Sequence, residues 1–480
     1  DFDNKLIHAT CEDNDQTISI AYTATNQYVP GDWSYLKRLL HKGMMLNVIR
    51  PRKAKGGELL PELIIILPDY LVNVTSIAAC FDEVGQSPLA NLLSMLSPSA
   101  STKPMLLGNF AGQLLDEETF HHEQTYAQSI KTFFKNNALS IATCPDIDEN
   151  FHVEAKQQKA NIHQMLSCDF KEQTSAKFRS EQIILEPSFF SDMMGMQGRM
   201  DFLNLNYRIV IEQKSGKCQW RPGAKDHEYV GKKESHYVQL LLYRALLHYD
   251  YKQLSADDMQ SFLLYSRYAH GLDMATSAPT LLFDAIKIRN QLAWCQQWYA
   301  QGGARVLETL TPEQIYPKAH GPLWQRFKRP QIMDVLGPIQ SASALEKAYY
   351  ARFMQFIANE QALSKIGNRT KENAGFAATW NCSIEEKREA GNIFENMELD
   401  TSSLTSNEVK DVRFVLKTNG SDHTADLSNF RRGDIAFFYP YSKGTLPDAT
   451  SIMVFRCSIT ELTANHVNVR LRNAQTSRHI

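Results

Sequence analysis

An apolar segment that runs directly into charged and polar residues constrains the fold of this chain more than any other feature. Residues 209–211 are Ile-Val-Ile, and Glu212, Gln213 and Lys214 follow them without a break. Side chains two positions apart share one face of a strand, so Glu212 and Lys214 project to the same side. We expect residues 200–204 to pair with this strand in a hairpin that turns at Leu205-Asn206.

In that hairpin Asp201 lies opposite Val210, which makes Asp201 a diagonal cross-strand neighbour of Glu212. The backbones of such neighbours are about 7–8 Å apart, close enough for both carboxylates to reach one ion. Two hard carboxylates with open coordination positions suit Mg²⁺ or Mn²⁺. A lysine beside that ion, here Lys214, can orient or deprotonate an attacking water. The alternative is an edge hairpin whose charged side chains simply face water.

The next element carries a second polar pair. Residues 234–249 have the pattern of an amphipathic helix, and Gln239 and Tyr243 stand four residues apart within it. That spacing places both side chains on one face of the helix. The alternative is a helix with an ordinary polar stripe.

The ordered motifs resemble one nuclease family. Gly198-Arg199-x-Asp201, then Glu212-x-Lys214, then Gln239-x-x-x-Tyr243 are similar to the RecB-type branch of the PD-(D/E)XK nucleases. Glu186 matches the acidic residue that this branch often carries upstream. The resemblance implies an α/β (α+β) restriction-endonuclease-like core. It also implies roles for individual residues: metal binding by Asp201, Glu212 and the carbonyl of Gln213, catalysis by Lys214, and bracing of the site and the DNA by Gln239 and Tyr243.

Three further segments extend the resemblance to nuclease–helicases. Residues 106–116 look like the helix that opens the nuclease domain, and Arg289-Asn290 and residues 429–434 look like later landmarks. The resemblance implies a Mg- or Mn-dependent DNA nuclease acting on single-stranded or flap DNA in replication or repair. Its partner would be a helicase motor in the same longer protein, and the missing initiator Met also leads us to expect a longer chain. No G-x-x-x-x-G-K-[ST] motif is present, so no ATP site is expected in these residues.

Two departures from the family pattern stand out. Gly112 occupies the position where relatives often place a metal-binding His, although His121 and His122 follow nine and ten residues later. The cysteine spacing gives no support for the iron–sulfur cluster of many relatives, since no CxxC occurs. Gly112 favours an alternative in which the chain is a non-catalytic nucleic-acid-binding scaffold with a degenerate nuclease fold. The intact Asp201, Glu212 and Lys214 favour the enzyme.

The patterns divide the 480 residues into four regions. We expect a β-rich N-terminal region over 1–104, the nuclease domain over 105–330, a helical stalk over 331–411 and a small β-barrel over 412–480. The last region holds no acid, base or metal cluster, so we expect no catalytic role for it. The aromatic run 437–441 within it suits either base stacking or an ordinary core.

Composition excludes several classes of protein. A net charge of −2 argues against coating nucleic acid by bulk charge, though a local basic groove stays possible. Six basic residues could track phosphates or merely form a solvated loop: Lys214, Lys217, Arg221, Lys225, Lys232 and Lys233. No stretch approaches the ~20 apolar residues that span a bilayer, so no membrane partner is expected. The eight scattered cysteines fit a reducing cytoplasm.

Overall fold

The structure is a computed structural model of the whole chain. The residues that it describes are 1–23, 32–97, 100–120, 124–174, 182–204, 208–251, 259–367, 378–404, 408–416, 428–442, 444–463 and 465–476. Helices and strands are both abundant, so the chain is a mixed α/β protein, as the alternation of patterns predicts. Among these residues, no helix is both long enough and apolar enough to cross a membrane.

The N-terminal region is built from short strands, one 3-10 helix and two short α-helices. Its elements are β1 (Leu6–Thr10), β2 (Thr17–Ala21), a 3-10 helix (Trp33–Arg38), β3 (Leu46–Ile49), β4 (Arg52–Lys53), β5 (Leu59–Leu60), β6 (Leu63–Ile66), β7 (Val72–Asn73), α1 (Val74–Ala78), β8 (Phe81–Asp82), β9 (Gly85–Gln86) and α2 (Pro88–Leu96). Strand β6 is buried along its whole length.

The central region alternates helices with strands. Its elements are α3 (Lys103–Phe120), α4 (Tyr126–Asn136), α5 (Ala138–Ala142), α6 (Asn150–Gln164), a π-helical turn (Met165–Asp169), α7 (Phe170–Thr174), β10 (Ile183–Leu185), β11 (Ser188–Ser191), β12 (Met196–Arg199), β13 (Phe202–Asn204), β14 (Ile209–Lys214), α8 (Glu234–Tyr249), β15 (Gln260–Tyr265), β16 (Leu272–Ala275) and α9 (Pro279–Ala300). Five of these strands form one sheet in the order β10-β13-β14-β15-β16. Only β14 and β15 pair in parallel, because α8 carries the chain across between them.

Helices cover both faces of this sheet. Leu203 and Val210 point to the face covered by α8 and α9. Phe202 and Ile211 point to the opposite face, where α3 and α6 pack. The alternation follows from the two-residue period of a strand. Residues 201, 203, 210, 212 and 214 therefore share the face that α8 covers.

The observed register corrects one prediction. Phe202 pairs with Ile211 and Leu203 with Val210, so the hairpin is shifted by two residues from the predicted pairing. Continuing the pairing by one step places Asp201 directly opposite Glu212 rather than diagonal to it. The shift is even, so the predicted face is preserved. The turn predicted at Leu205-Asn206 lies outside the described residues.

A buried arginine ties the N-terminal region to the central one. Arg289 of α9 is fully buried, and burial lowers the pKa of its guanidinium to about 9. All five of its N–H donors are used: one bonds the neighbouring Asn290 side chain at 3.1 Å, and the others bond main-chain carbonyls of Ile66, Leu67, Tyr70 and Gly195. Gly195 has a φ of +59°, and a Cβ there would lie 2.1 Å from the guanidinium. Arg289-Asn290, which resembles a later segment of the family, thus has a structural role. We call the bonds of Arg289 to the four carbonyls the Arg289 clamp.

A helical segment leads into a C-terminal sheet. The elements are a 3-10 helix (Gly303–Glu308), α10 (Pro312–Ile315), α11 (Gly321–Leu323), a π-helical turn (Trp324–Lys328), α12 (Arg329–Ser341), α13 (Ala344–Ile366), α14 (Ala378–Asn381), α15 (Ile384–Glu389), β17 (Met397–Leu399), a 3-10 helix (Thr401–Ser403), β18 (Glu408–Leu416), β19 (Ile435–Phe438), β20 (Phe455–Leu462) and β21 (His466–Thr476). The sheet is a curled half-barrel with the order β17-β18-β21-β20-β19. It begins at β17, earlier than the predicted boundary at 412.

The C-terminal sheet packs directly on the central one. Gln475 of β21 is buried, and its side-chain amide accepts from Leu185 N–H at 3.2 Å and donates to Leu185 C=O at 2.7 Å. Ile184, in the same strand β10, belongs to the core of the C-terminal sheet. A bridge between Ser188 and Val454 adds a second contact. The predicted four-part division stays a prediction, but side-chain contacts cross two of its boundaries.

Candidate active site

Two carboxylates meet where strand β14 emerges beside β13. Asp201 ends the short segment before β13, and its Oδ2 accepts a 2.7 Å hydrogen bond from the main-chain N–H of Gln213. Glu212 lies on the same face of β14 and is only 3 % exposed. Burial raises the pKa of Glu212, and the two carboxyl groups are close enough that the charge of Asp201 raises it further.

A lysine and a glutamine close a triangle around Glu212. Lys214 Nζ donates to Glu212 Oε1 and to Gln239 Oε1, each at 2.9 Å. Gln239 Nε2 in turn donates to the same Glu212 oxygen at 2.5 Å. Each amide and ammonium position is therefore fixed by two partners. The structure brings together Glu212 and Lys214, which the strand pattern places on one face, and Gln239, which the resemblance places at the site.

Tyr243 holds the strand that precedes Asp201. Its hydroxyl donates to the carbonyl of Arg199 at 2.7 Å and accepts from Gln239 Nε2 at 3.4 Å. The tyrosine ring passes directly over Gly198, where an added Cβ would lie 2.6 Å from the ring. Glycine is therefore required at 198 for close packing against α8. Tyr243 acts through the backbone, one turn of helix from Gln239.

Glu186 lies on the other side of Asp201. Its main-chain N–H donates to the carbonyl of Asp201 at 3.0 Å, and its carboxylate pairs with Arg199 at 2.7 Å. Its φ is +48°, a region that costs a non-glycine residue about 1–3 kcal/mol and is concentrated at functional sites. Burial raises the pKa of Glu186, and the Arg199 charge opposes that rise.

Sequence reasoning missed a fourth carboxylate. Asp116 of α3 is close enough to Glu186 and Asp201 to be affected by their charges. Burial and then the Glu186 charge raise the pKa of Asp116 to about 8. Asn473 of β21 donates to Asp116 at 3.2 Å and also hydrogen-bonds Glu186. The C-terminal sheet, for which we expected no catalytic role, thus places a side chain beside the carboxylates. Asp116 stands four residues after Gly112, and this helical spacing could have indicated that Asp116 lies on the same face of α3 as the position of the family histidine.

The same face of α3 borders the site at three successive turns. An added Cβ at Gly108 would lie 3.2 Å from the hydroxyl of Ser215, directly after the Glu-x-Lys strand. Gly112 follows one turn later, with nothing within 4 Å of an added Cβ, and Asp116 follows after another turn. Open space therefore exists where the family pattern places a histidine. His121 and His122 lie outside the described residues.

Burial opposes ionisation of both carboxylates of the pair. Burial and then the charge of Asp201 raise the pKa of Glu212 to about 8. Burial also raises the pKa of Asp201, against the opposing charge of Lys214. For Lys214, burial lowers the pKa, but the charges of Glu212 and Asp201 outweigh it and raise the pKa overall. Two carboxylates this close resist simultaneous ionisation, which is the condition that a bound cation relieves.

The donor set fits a hard divalent cation. Among the described residues, Glu212 Oε2 is one of the few buried side-chain oxygens without a hydrogen-bond partner. No three Asp, Glu, His or Cys side chains in the described part of the chain form a ready-made metal cluster. A metal here would therefore take the carboxylates of Asp201 and Glu212, a main-chain carbonyl and water. Mg²⁺ characteristically binds through few carboxylates and retains waters in this way.

The remaining candidate residues lie in ordinary protein contacts. Among the basic residues after β14, Lys217 pairs with Asp226 at 2.6 Å and Arg221 with Glu228 at 3.1 Å. The aromatic run in β19 packs internally: Phe437 contacts Phe190, with 5.2 Å between ring centroids, and Phe438 stacks on Phe455. Phe437 and Phe438 thus have the contacts of a core, as one of the two interpretations predicts, whereas Tyr441 in the same run is 38 % exposed.

Comparison with known proteins gives one family match. Residues 21–203 match the model of the family described as DNA replication factor Dna2. This range ends two residues after Asp201, so it includes α3, Glu186 and Asp201 but not the Glu-x-Lys strand. Curated proteins give no significant match. A solved structure from Eubacterium rectale, provisionally assigned as an exonuclease, is 12 % identical, with 46 % of this chain and 78 % of that chain covered. Its TM-score of 0.28 is too low to carry an argument.

Proposed function

We propose that this chain is a metal-dependent DNA nuclease of the RecB-like PD-(D/E)XK type that cleaves single-stranded or flap DNA. The observation that carries the proposal is the convergence of Asp201, Glu212 and Lys214 on one face of the sheet, closed by Gln239 of α8. The match of 21–203 to a family described as a DNA replication factor supports DNA as the substrate. The helicase motor as a partner stays a prediction.

Asp201, Glu212 and the carbonyl of Gln213 are the residues that would hold Mg²⁺ or Mn²⁺. Such an ion, when bound, supplies Lewis-acid stabilisation of the charge that develops on the phosphate. Glu212 is suited to this role because its Oε2 has no other partner among the described residues. Asp201 is suited because its Oδ2 is oriented by a hydrogen bond from the backbone of β14. Glu186 and Asp116 extend the negative charge beside this pair.

Lys214 is placed to orient the attacking water. An ammonium group has three N–H donors, and two of them are directed to Glu212 and Gln239. The third is available to orient a water molecule or to donate a proton, because the raised pKa of Lys214 keeps it an ammonium. Gln239 fixes the lysine and the glutamate at once, and Tyr243 holds the backbone that carries Asp201. The polar stripe of α8 therefore positions the catalytic groups.

The test is cleavage of a labelled single-stranded oligonucleotide with Mg²⁺ or Mn²⁺, with and without a chelator. Asp201→Ala, Glu212→Ala and Lys214→Ala are each expected to slow cleavage by at least the ~10²–10⁴-fold typical of lost acid–base help. Lys131→Ala, an exposed lysine of α4, is the matched control and is expected to cleave at the wild-type rate.

Two outcomes would overturn the proposal. Unchanged cleavage by Lys214→Ala, with contaminating nuclease excluded, would remove the assigned catalytic residue. A wild-type chain that binds the oligonucleotide but never cleaves it would instead support the non-catalytic scaffold, which Gly112 in place of the family histidine favours.

A further inference from the structure

One tryptophan lies exposed on the loop that joins the two elements of the candidate site. Residues 215–233 connect β14, which carries Glu212 and Lys214, to α8, which carries Gln239. Trp220 lies in this loop and is 74 % exposed. All six tryptophans lie in the described residues, and the other five are buried or partly buried. The flat face of the indole is therefore accessible to a ligand beside the candidate site.

The loop holds Trp220 in a fixed place. Immediately before it, the N–H of Cys218 donates to the Tyr268 hydroxyl at 3.1 Å, and the N–H of Gln219 donates to the carbonyl of Gly231 at 2.9 Å. Cys218 itself is only 5 % exposed. Immediately after it, Arg221 is paired with Glu228. The indole is therefore presented from a braced segment, which keeps the entropy lost on stacking small.

The charge around the indole suits a nucleic acid. Residues 215–233 hold five Lys or Arg residues against two acidic ones. Four of the five are ion-paired, two of them with acids outside the loop, so the phosphates of a strand would compete with carboxylates for these cations. Proteins that bind single strands combine a positive surface for the phosphates with an aromatic ring on which a base stacks. A duplex keeps its bases stacked on each other, so only an unpaired base has a free face for the ring.

We propose that Trp220 is the stacking platform for an unpaired base of the strand that enters the active site, and so selects single-stranded over duplex DNA. The proposal rests on the proposed nuclease function and deepens it. Trp220 stands six residues from Lys214, so their Cα atoms are at most about 20 Å apart, within a few nucleotides of the site of cleavage. Stacking tolerates any base, so the preference is for strandedness rather than sequence.

The first test compares binding of a fluorescent 20-nucleotide single strand by the full chain in a chelator, using fluorescence anisotropy. Trp220→Ala is expected to weaken binding about fivefold to a hundredfold, the range that one lost base stack produces. Trp220→Phe, which keeps an aromatic face, is expected to lose much less. Tyr349→Ala removes an aromatic ring that is 64 % exposed on α13 and is the matched control, with no expected change.

The second test identifies the contact as a base. Because no phosphate contact is lost, Trp220→Ala is expected to keep the wild-type dependence of binding on salt. An oligonucleotide with abasic sites is expected to bind wild type and Trp220→Ala equally, as is a duplex of the same sequence. Under cleavage conditions the variant is expected to raise KM with little change in kcat.

The outcomes separate this proposal from the function on which it rests. If the wild-type chain neither binds nor cleaves DNA, the nuclease function itself fails. If the wild-type chain binds and cleaves but Trp220→Ala matches it on the single strand, stacking is overturned. A loss of the same size on abasic and normal strands would also overturn it, because the contact would then be to the backbone.

Discussion

Glu212→Gln is expected to make the metal-free protein more stable while removing its catalytic activity. Glu212 has a pKa of about 8 in the folded chain against an ordinary 4.5, because it is buried beside Asp201. At pH 7 the folded state retains a proton that the unfolded state has released. That difference costs the folded state about 3 kcal/mol, at about 1.4 kcal/mol for each pKa unit traversed.

Glutamine avoids this cost and fits the same contacts. Its carbonyl oxygen can accept from Lys214 and Gln239 as Glu212 Oε1 does. Its amide NH₂ replaces the unpartnered Oε2 and supplies a donor toward Asp201. We therefore expect a gain of about 1–3 kcal/mol in the free energy of unfolding at pH 7.

The sign of the pH dependence follows from the raised pKa. The folded state binds the proton more tightly, so the wild-type chain loses stability as the pH rises from about 4.5 to about 8. Glu212→Gln does not titrate there, so its advantage is expected to be small at pH 5 and largest at pH 8. Thermal unfolding of both proteins in a chelator across this range measures the difference.

A divalent cation is expected to reverse the order. With Mn²⁺ at a hundred times its dissociation constant, the wild-type chain gains about 2.7 kcal/mol, whereas Glu212→Gln gains much less. The control is Glu117→Gln, in which a buried carboxylate already bonded by Ser129 and Gln113 acquires a surplus donor and loses stability. A Glu212→Gln protein less stable than wild type in chelator at pH 8 would refute this account, as would an equal gain from Mn²⁺.

Two further predictions test the surroundings of the site. Gly112→His is expected to tighten Mn²⁺ binding measured by calorimetric titration, because the face of α3 beside the site has room for the ring. Gly112→Ala is the control for the ~1 kcal/mol that helix propensity gains when glycine is replaced. An unaltered or weaker isotherm for a folded His variant would show that the helix is misassigned. Gln475→Leu leaves the buried N–H and C=O of Leu185 without partners, and in thermal unfolding it is expected to lower the free energy of unfolding by about 1–3 kcal/mol for each group. The control Arg470→Leu breaks only an exposed ion pair in the same strand and is expected to cost under about 1 kcal/mol. Equal losses of stability in the two variants would contradict the interpretation.

Local patterns predicted the parts of the site that lie on one strand and one helix. The two-residue period placed Glu212 and Lys214 on one face, and the spacing of four placed Gln239 above Tyr243. The observed pairing of β13 with β14 differs by two residues from the predicted one. The register of a hairpin depends on its turn, and a shift by two residues leaves the same side chains on each face, so the alternation pattern cannot distinguish the two registers. The face on which each side chain lies could therefore be predicted, although the residue that pairs with Asp201 could not.

The groups that sequence reasoning missed come from distant segments. Asp116 and Asn473 are 357 residues apart, and nothing in either local sequence indicates that they meet. Similarly, nothing in residues 66–70 indicates that three of their carbonyls bond an arginine of α9. Such contacts depend on how whole elements pack, which a periodicity does not encode.

The Arg289 clamp has a consequence for how the chain folds during its synthesis. The carbonyls of Ile66, Leu67 and Tyr70 precede their guanidinium partner by 223, 222 and 219 residues. At about 5–20 residues per second, a ribosome needs roughly ten to forty-five seconds to deliver that partner. During this interval β6 can pair with β3, but the side chains and carbonyls that α9 covers have no partner yet, a state prone to aggregation. The packing of the N-terminal region is therefore completed only when α9 arrives.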